Sequence, residues 1–133
     1  MSLLLTAALA AGANGTRARI DELFAAFNRH DVAGLKALYL PDARLTSSDF
    51  CTPRTAADVP RTYGALFTAF PDIRDEVDSV IIQGNRAAVR FVSHSEVPGR
   101  AFRMTLVTLF EIKDGKIAAD ETTFDAGGRP CEP

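Results

Sequence analysis

The stretch that decides the fold is residues 77–124, VDSVIIQGNRAAVRFVSHSEVPGRAFRMTLVTLFEIKDGKIAADETTF. Its hydrophobic period is two rather than 3.6, which is typical of β-strands. Three turn signals divide it, at Gly84-Asn85, Pro98-Gly99 and Asp114-Gly115, and such pairs are common in the turns that join antiparallel strands. We therefore predict four strands joined as an antiparallel meander, at 77–83, 87–95, 102–113 and 116–124.

The part of the chain before residue 72 has helical periodicity instead. Apolar side chains recur every three or four positions over 16–29, which predicts an amphipathic helix capped by Thr16 or Asn14. Asp31 is a candidate cap for a second, short helix that Pro41 would end. That second helix is expected to carry Leu35, Leu38 and Tyr39.

A third helix is predicted after a short strand over 43–47 and a polar loop over 48–55. Asp58 followed by Pro60 is typical of a helix start, and Pro71 follows the last apolar position of the segment. The apolar face of this helix is expected to carry Tyr63, Leu66, Phe67 and Phe70. Helices first and antiparallel strands afterwards is the pattern of an α+β fold, in which the helices cover one face of the sheet.

We expect a single domain over residues 1–133, because no linker, repeat or low-complexity stretch divides the chain. Its core would span 16–125, preceded by an apolar segment over 1–15 and followed by a tail over 126–133 that we expect to be loose. The N-terminal apolar run resembles part of a signal peptide but lacks the basic residues that precede one. We interpret it as a short helix packed on the domain, or partly as an expression remnant.

Composition argues against several classes of partner. The net charge is −2, with acidic and basic residues interleaved, so there is no basic block to bind nucleic acid. No apolar run is long enough to span a membrane. With only His30 and His94 and no ligand-like spacing of acidic residues, no metal is expected. Cys51 and Cys131 are interpreted as two reduced thiols of a cytoplasmic protein, although the sequence leaves their pairing open.

Five segments, taken together in their order and spacing, resemble the SnoaL-like family of the nuclear-transport-factor-2-like superfamily over residues 20–125. They are LFAAFN with the following His30-Asp31 (23–31), LYLPDA (38–43), AFPDI (69–73), AVRF (88–91) and FEIKDGKI (110–117). The resemblance implies a cone-shaped, strongly curved antiparallel sheet, a cystatin-like α+β barrel, with three N-terminal helices packed on its concave face. It also implies one cavity that serves cyclases, isomerases, epoxide hydrolases, dehydratases and binding subunits alike, so function depends on the polar groups in that cavity.

Strand alternation, combined with this resemblance, sorts the side chains that would line the cavity. Asp120 is the candidate catalytic residue, because a carboxylate among apolar side chains has a raised pKa that suits proton transfer near neutral pH. A slip of one residue would put Glu121 inside instead. His94 is a second candidate, as a proton shuttle, although alternation puts it on the outer face unless a bulge reverses it. The candidate substrate-binding residues are Ser47, Asp49, Tyr63, Phe67, Phe91, Ser93, Thr108, Phe110, Thr122 and Phe124.

The chain departs from the steroid-isomerase branch of the superfamily, whose aspartate base, second acid and helix tyrosine fall here on Ser47, Thr108 and Leu23. The leading hypothesis is a protein that binds a small hydrophobic organic molecule and, as an enzyme, works without a cofactor as a cyclase, isomerase or dehydratase. The alternative is a non-catalytic ligand-binding or dimerisation module of the same fold. Epoxide hydrolysis is less favoured, because no inward arginine is evident. A homodimer through the outer sheet face is predicted from the apolar residues Val92, Val107 and Leu109.

Overall fold

A computed structural model describes the backbone of residues 2–133 and the side chains of residues 12–133. Within this range, three α-helices precede residue 72 and four strands follow it, so the predicted α+β class is confirmed. The helices are α1 (Ser2–Asn28), α2 (Val32–Ala37) and α3 (Val59–Ala69), and the strands are β1 (Tyr39–Ser47), β2 (Arg74–Gln83), β3 (Arg86–Ser95), β4 (Phe102–Lys113) and β5 (Lys116–Thr123).

The five strands form one open sheet in the order β1-β5-β4-β3-β2. Strands β2 to β5 are the expected antiparallel meander, and the last hairpin turns on Asp114 and Gly115, whose φ angles of 52° and 73° suit a tight two-residue turn. β1 pairs with β5 in parallel, so the expectation of an entirely antiparallel sheet is wrong at this edge. No hairpin joins β1 to β5, and it is a hairpin that obliges neighbouring strands to run antiparallel.

The two faces of the sheet have different surroundings. The inner face, which carries the even-numbered residues of β4 from Phe102 to Phe110, is covered by α1 and α3. Phe24 of α1 packs edge-on against Phe91 and Phe110, with ring centroids 5.0 and 6.5 Å apart. The outer face carries the odd-numbered residues of β4 and is exposed. Burial of one face under helices therefore creates the core and leaves several apolar side chains of the outer face, among them Val107 and Leu109, exposed to water.

Helix α1 begins before the predicted cap. Thr16 lies inside the helix, fully buried, and its Oγ1 is 2.9 Å from the carbonyl oxygen of Gly12 and 2.8 Å from that of Gly84. A threonine hydroxyl that binds the carbonyl four residues earlier no longer caps the helix, so the proposed caps at Thr16 and Asn14 are wrong. The contact with Gly84 ties α1 to the β2–β3 turn. Among the described residues, no helix is long and apolar enough to cross a membrane.

Two strands begin earlier than predicted. Helix α2 ends at Ala37, and Tyr39, which was expected in that helix, is the first residue of β1. Pro41 explains this, because the residue before a proline is restricted to extended conformations and an edge strand tolerates the missing N–H. Strand β2 begins at Arg74 rather than at residue 77. Both corrections matter for the cavity, since they bring Tyr39 and Asp75 into the sheet.

The C-terminal tail is fixed rather than loose. Cys51 and Cys131 form a disulfide, with their Cα atoms 5.0 Å apart, so the interpretation of two reduced thiols is wrong. The backbone N–H of Cys51 donates to the carbonyl of Glu132 at 2.8 Å, and that of Glu132 donates to the carbonyl of Asp49 at 2.6 Å. Buried Arg54 lies 3.6 Å from the Glu132 carboxylate. The tail is therefore held to the loop that follows β1.

Candidate functional site

A cavity of about 820 Å³ lies between the inner face of the sheet and helices α1 and α3. Its size falls within the range of roughly 300–1,000 Å³ that is usual for pockets that hold small organic molecules. More than half of the lining residues are apolar, and the polar side chains among them determine which groups of a bound molecule the cavity can recognise. The apolar wall includes Leu23, Phe24, Phe27, Leu35, Leu45, Leu66, Phe70, Ile73, Phe91, Phe102, Met104, Leu106, Phe110 and Phe124.

Asp120 is the central polar group of the cavity. The hydroxyl of Tyr39 donates a hydrogen bond of 2.6 Å to its Oδ2, and the hydroxyl of Thr122 donates one of 3.2 Å to its Oδ1. Thr122 in turn lies 2.8 Å from the hydroxyl of Thr108. Burial raises the pKa of Asp120, and the bonds from Tyr39 and Thr122 oppose that rise. The carboxyl is therefore desolvated but supported in its ionised form.

Two tyrosines accompany this carboxyl. Burial, and then the negative charge of Asp120, raise the pKa of Tyr39 well above its ordinary value. Burial and the same charge also raise the pKa of Tyr63, and Asp75 adds to that effect. Both phenols are consequently neutral hydrogen-bond donors throughout the physiological range. The hydroxyl of Tyr39 donates its hydrogen bond to Asp120, whereas Tyr63, on α3, lies in the cavity wall near the same carboxyl.

Asp75 is a second inward carboxyl, on edge strand β2. It is 8% exposed and lines the cavity. Burial raises the pKa of Asp75 to about 7, against the opposing effects of the Ser93 hydroxyl and His94. Its backbone is fixed by Asn28 of α1, which accepts from the Asp75 N–H at 2.8 Å and donates to its carbonyl at 2.9 Å. Among the described side chains and backbone groups, none forms a hydrogen bond with Asp75 Oδ1.

The structure brings most of the sequence-derived candidates to the cavity. Asp120 is buried in its wall, and Glu121 is exposed on the other face. The lining also includes Ser47, Asp49, Tyr63, Phe91, Ser93, Thr108, Phe110, Thr122 and Phe124. Within this lining, Ser47 donates a hydrogen bond of 2.6 Å to Asp49 at the end of β1.

Two candidates lie elsewhere. Phe67 was expected in the cavity, but it packs between Phe27, at 5.1 Å, and the ring of His30, at 4.2 Å, away from the lining. His94 was considered as a proton shuttle, but its Nε2 is 3.1 Å from Glu76 Oε1 on the outer face. Strand β3 keeps regular alternation through Ser95, so no bulge turns His94 inward. The structure therefore gives neither residue direct access to a bound molecule.

Two residues of the site were missed from the sequence: Asp75, which lines the cavity, and Tyr39, which does not line it but donates a hydrogen bond to Asp120. For Tyr39 the available signal was Pro41, which disfavours a helix in the residues just before it. For Asp75 the signal was the alternation of Ile73, Asp75 and Val77, which extends the strand pattern back toward Pro71. Two exposed cations also line the cavity and were not anticipated there: Arg100, in the loop between β3 and β4, and Arg129, in the tail. No cluster of three potential metal ligands occurs within the described residues.

Comparison with known proteins identifies the family. No curated protein is a detectable relative in sequence. Several solved structures are similar. One is IdmH, a proposed polyketide cyclase from Streptomyces antibioticus, with 27% identity, a TM-score of 0.74, and coverage of 83% of this chain and 91% of IdmH. Another is AclR, a proposed hydroxylase from Streptomyces galilaeus, with 25% identity, a TM-score of 0.73, and coverage of 85% of this chain and 90% of AclR. A proposed polyketide cyclase from Sinorhizobium meliloti is similar as well, with 27% identity, a TM-score of 0.65, and coverage of 78% of this chain and 92% of that protein. The model of the SnoaL-like domain matches residues 20–119, and the chain therefore belongs to the SnoaL-like family.

Proposed function

We propose that this protein binds a largely apolar organic molecule in the cavity and catalyses proton transfer on it without a cofactor, with Asp120 as the acid–base group. The observation that carries the proposal is the buried Asp120 carboxyl, held by Tyr39 at 2.6 Å inside an apolar cavity. Desolvation strengthens the carboxylate as a base, and the fixed hydrogen bonds aim it. The similarity to IdmH, a proposed polyketide cyclase, favours a polyketide-like carbonyl compound as substrate.

The reaction class that fits is an aldol-type cyclisation. The Asp120 carboxylate removes a proton from the carbon next to a carbonyl, and the electron pair of that C–H bond forms an enolate. The neutral Tyr63 hydroxyl is available to donate a hydrogen bond to the enolate oxygen. The enolate carbon then attacks a second carbonyl of the same molecule, and protonated Asp120 returns its proton to the resulting alkoxide. Isomerisation and dehydration use the same first step and remain members of the proposed class.

A non-catalytic binding module is the second candidate, favoured by the predominance of apolar groups in the cavity wall. A purely structural module with a filled interior is disfavoured, because the cavity is open and Phe67 lies outside it. Epoxide hydrolysis requires an arginine beside the inner carboxyls. The two arginines of the lining, Arg100 and Arg129, are both exposed, so that chemistry has no support in the interior.

Assembly and location are further parts of the proposal. A homodimer through the outer face of the sheet would cover the apolar residues that this face exposes to water. The cytoplasmic location expected from the sequence stays a prediction. The Cys51–Cys131 disulfide bears against it, because disulfides persist mainly in oxidising compartments.

The catalytic proposal is tested by proton exchange. Aryl ketones such as 2-acetylnaphthalene are incubated with the protein in D₂O, and deuterium uptake at the carbon next to the carbonyl is followed by NMR. Asp120→Asn is expected to lower the protein-catalysed rate on the order of 10²–10⁴-fold while the ketone still binds. Glu121→Gln, an exposed neighbour, is the matched control and should retain the rate. Binding without any exchange supports the binding-module alternative, and equal exchange by wild type and Asp120→Asn overturns the role of Asp120.

A further inference from the structure

The cavity holds a second buried carboxyl that the proposed reaction does not use. Asp75 lies on β2 at one edge of the sheet, whereas Asp120 lies on β5, with β3 and β4 between the two strands. Both carboxyls are nine-tenths buried and both line the same cavity. Tyr63 is close enough to both that each raises its pKa. The two acids therefore face one apolar space from separate parts of its wall.

The surroundings of Asp75 leave its carboxyl incompletely satisfied. The two hydrogen bonds with Asn28 involve only the backbone of Asp75. Within the described structure, Oδ1 has no hydrogen-bond partner, and the groups that favour ionisation of the carboxyl are the Ser93 hydroxyl and, through its charge, His94. A buried polar group without a partner costs roughly 1–3 kcal/mol. Asn28, at the end of α1, thus fixes the backbone of Asp75, and the carboxyl itself is short of a hydrogen-bond donor.

We infer that Asp75 is a second anchor for the bound molecule and accepts a hydrogen bond from a hydroxyl group on it. The inference rests on the proposed function and narrows the substrate class. The molecule would be a rigid, mainly apolar compound with a carbonyl group toward Asp120 and a hydroxyl group, separated from that carbonyl, toward Asp75. A hydroxyl at the second position supplies the missing donor, whereas an unsubstituted ring would leave the carboxyl unsatisfied.

The anchor has a built-in dependence on pH. With the pKa of Asp75 at about 7, the carboxyl accepts best above neutrality, when it is ionised. A hydroxyl ligand that prefers the ionised form must lower the pKa of Asp75 when it binds, by linkage. The other titratable groups near Asp75 are His94, which acts from β3, Tyr63 on α3, and His30, whose Nε2 is 2.9 Å from the carbonyl of Ile73. The titration of Asp75 can be separated from the titration of these groups by carbon-13 NMR, which follows the carboxyl carbon of Asp75 itself.

The test compares two probes that differ by one hydroxyl group, 2-acetyl-6-hydroxynaphthalene and 2-acetylnaphthalene. In the wild-type protein, the hydroxylated probe is expected to bind about fivefold more tightly at pH 8 than at pH 6, and the deoxy probe is expected to show no such rise. Carbon-13 NMR should show the Asp75 titration midpoint falling by about one pH unit in the presence of the hydroxylated probe, because the same linkage produces both effects.

Two variants separate the anchor from a structural role. Asp75→Asn keeps the shape and should bind the hydroxylated probe equally at both pH values, and Asp75→Leu should bind the two probes alike. A merely structural Asp75 would change stability without changing this selectivity. The inference is overturned when wild type binds the two probes equally, when the pH dependence survives in Asp75→Asn, or when neither probe binds. The deuterium-exchange assay with other ketones tests Asp120 separately, so the anchor can fail while the proposed reaction stands.

Discussion

The hydroxyl of Tyr39 donates a 2.6 Å hydrogen bond to Oδ2 of Asp120, and the two residues come from the first and last strands in chain order, β1 and β5, which are neighbours in the sheet. Parallel pairing of β1 with β5 makes this contact, because it places the start of β1 beside Ile117 and its end beside Asp120 and Thr122. The bond is buried, and it joins a neutral donor to the group that we propose as the base. Its removal should therefore change the acidity of Asp120 more than the shape of the cavity.

Tyr39→Phe is expected to raise the pKa of Asp120 further, since it removes the hydrogen bond that most favours ionisation. A hydrogen bond to a charged group is worth about 1.5–3 kcal/mol, which corresponds to roughly one to two pH units. Because the ionised base is required, the midpoint of the pH–rate profile for deuterium exchange should move upward by that amount. In Tyr63→Phe, the control, the rate should fall with the midpoint nearly unchanged. An unmoved midpoint in Tyr39→Phe would contradict the positioning role of Tyr39.

The sequence was sufficient for the antiparallel meander of β2 to β5 and for most of the inner face. Residues 102–113 alternate without interruption, and β4 has the predicted bounds, so Thr108 and Phe110 were correctly placed. The prediction of secondary structure failed where tertiary contacts determine whether a segment is helix or strand. Tyr39 was assigned to a helix because apolar spacing continues through Leu38, but the pairing of β1 with β5, far along the chain, extends the strand across Pro41. Local periodicity carries no information on such a pairing.

Asp75 was missed for a different reason. The strand pattern was read from residue 77, and the β2–β3 pairing shifts register between Val77 and Ser79, so alternation counted back from the middle of β2 does not reach Asp75 on the inner face. A bulge of this kind inserts one residue and exchanges the faces beyond it. The interpretation of Cys51 and Cys131 as reduced thiols is wrong because two cysteines 80 residues apart give no geometric signal in sequence.

The stability of the protein should fall as pH rises through the titration range of Asp75. Its folded pKa of about 7 lies above the unfolded value of 3.8, so the folded state binds the proton more tightly. The contribution of Asp75 to the free energy of unfolding is fully present below about pH 4 and is lost as the pH rises through about 7. In urea unfolding at pH 5 to 8, the wild type should lose roughly 2–4 kcal/mol more than Asp75→Asn does. Parallel curves for the two proteins would show that Asp75 has an ordinary pKa.

The outer sheet face should mediate a homodimer. Ile81, Val107 and Leu109 are exposed there by 69%, 38% and 44%, and adjacent exposed apolar residues on a sheet usually mark an interface. In sedimentation at protein concentrations on the order of tens of micromolar, the wild type is expected to be a dimer. Leu109→Lys is expected to be a monomer under the same conditions, because it puts a charge in the apolar interface. Lys36→Glu, on the exposed side of α2, is the control. A wild-type monomer under these conditions would contradict the prediction.

The disulfide should stabilise both the fold and the edge of the cavity. It closes a loop with a sequence separation of 80 residues, and chain-entropy arguments give about 4 kcal/mol for a loop of that size. The tail that the disulfide holds also contributes to the cavity lining, through Asp125, Ala126, Gly127, Arg129 and Glu132. Opening the bond should therefore lower the free energy of unfolding and also weaken binding of a hydrophobic probe.

The measurement compares the wild type with Cys51→Ser/Cys131→Ser by urea unfolding and by titration with 2-acetylnaphthalene. The double variant is expected to lose several kcal/mol of stability, on the order of the loop-entropy value, and to bind the probe more weakly. Arg54→Met is an instructive comparison, because it removes the 3.6 Å contact with Glu132 but leaves the covalent bond. It should weaken the hold on the tail less than the double variant does. Loss of stability with unchanged probe affinity would mean that the tail braces the fold but does not form part of the binding surface, whereas no loss of stability would contradict the disulfide itself.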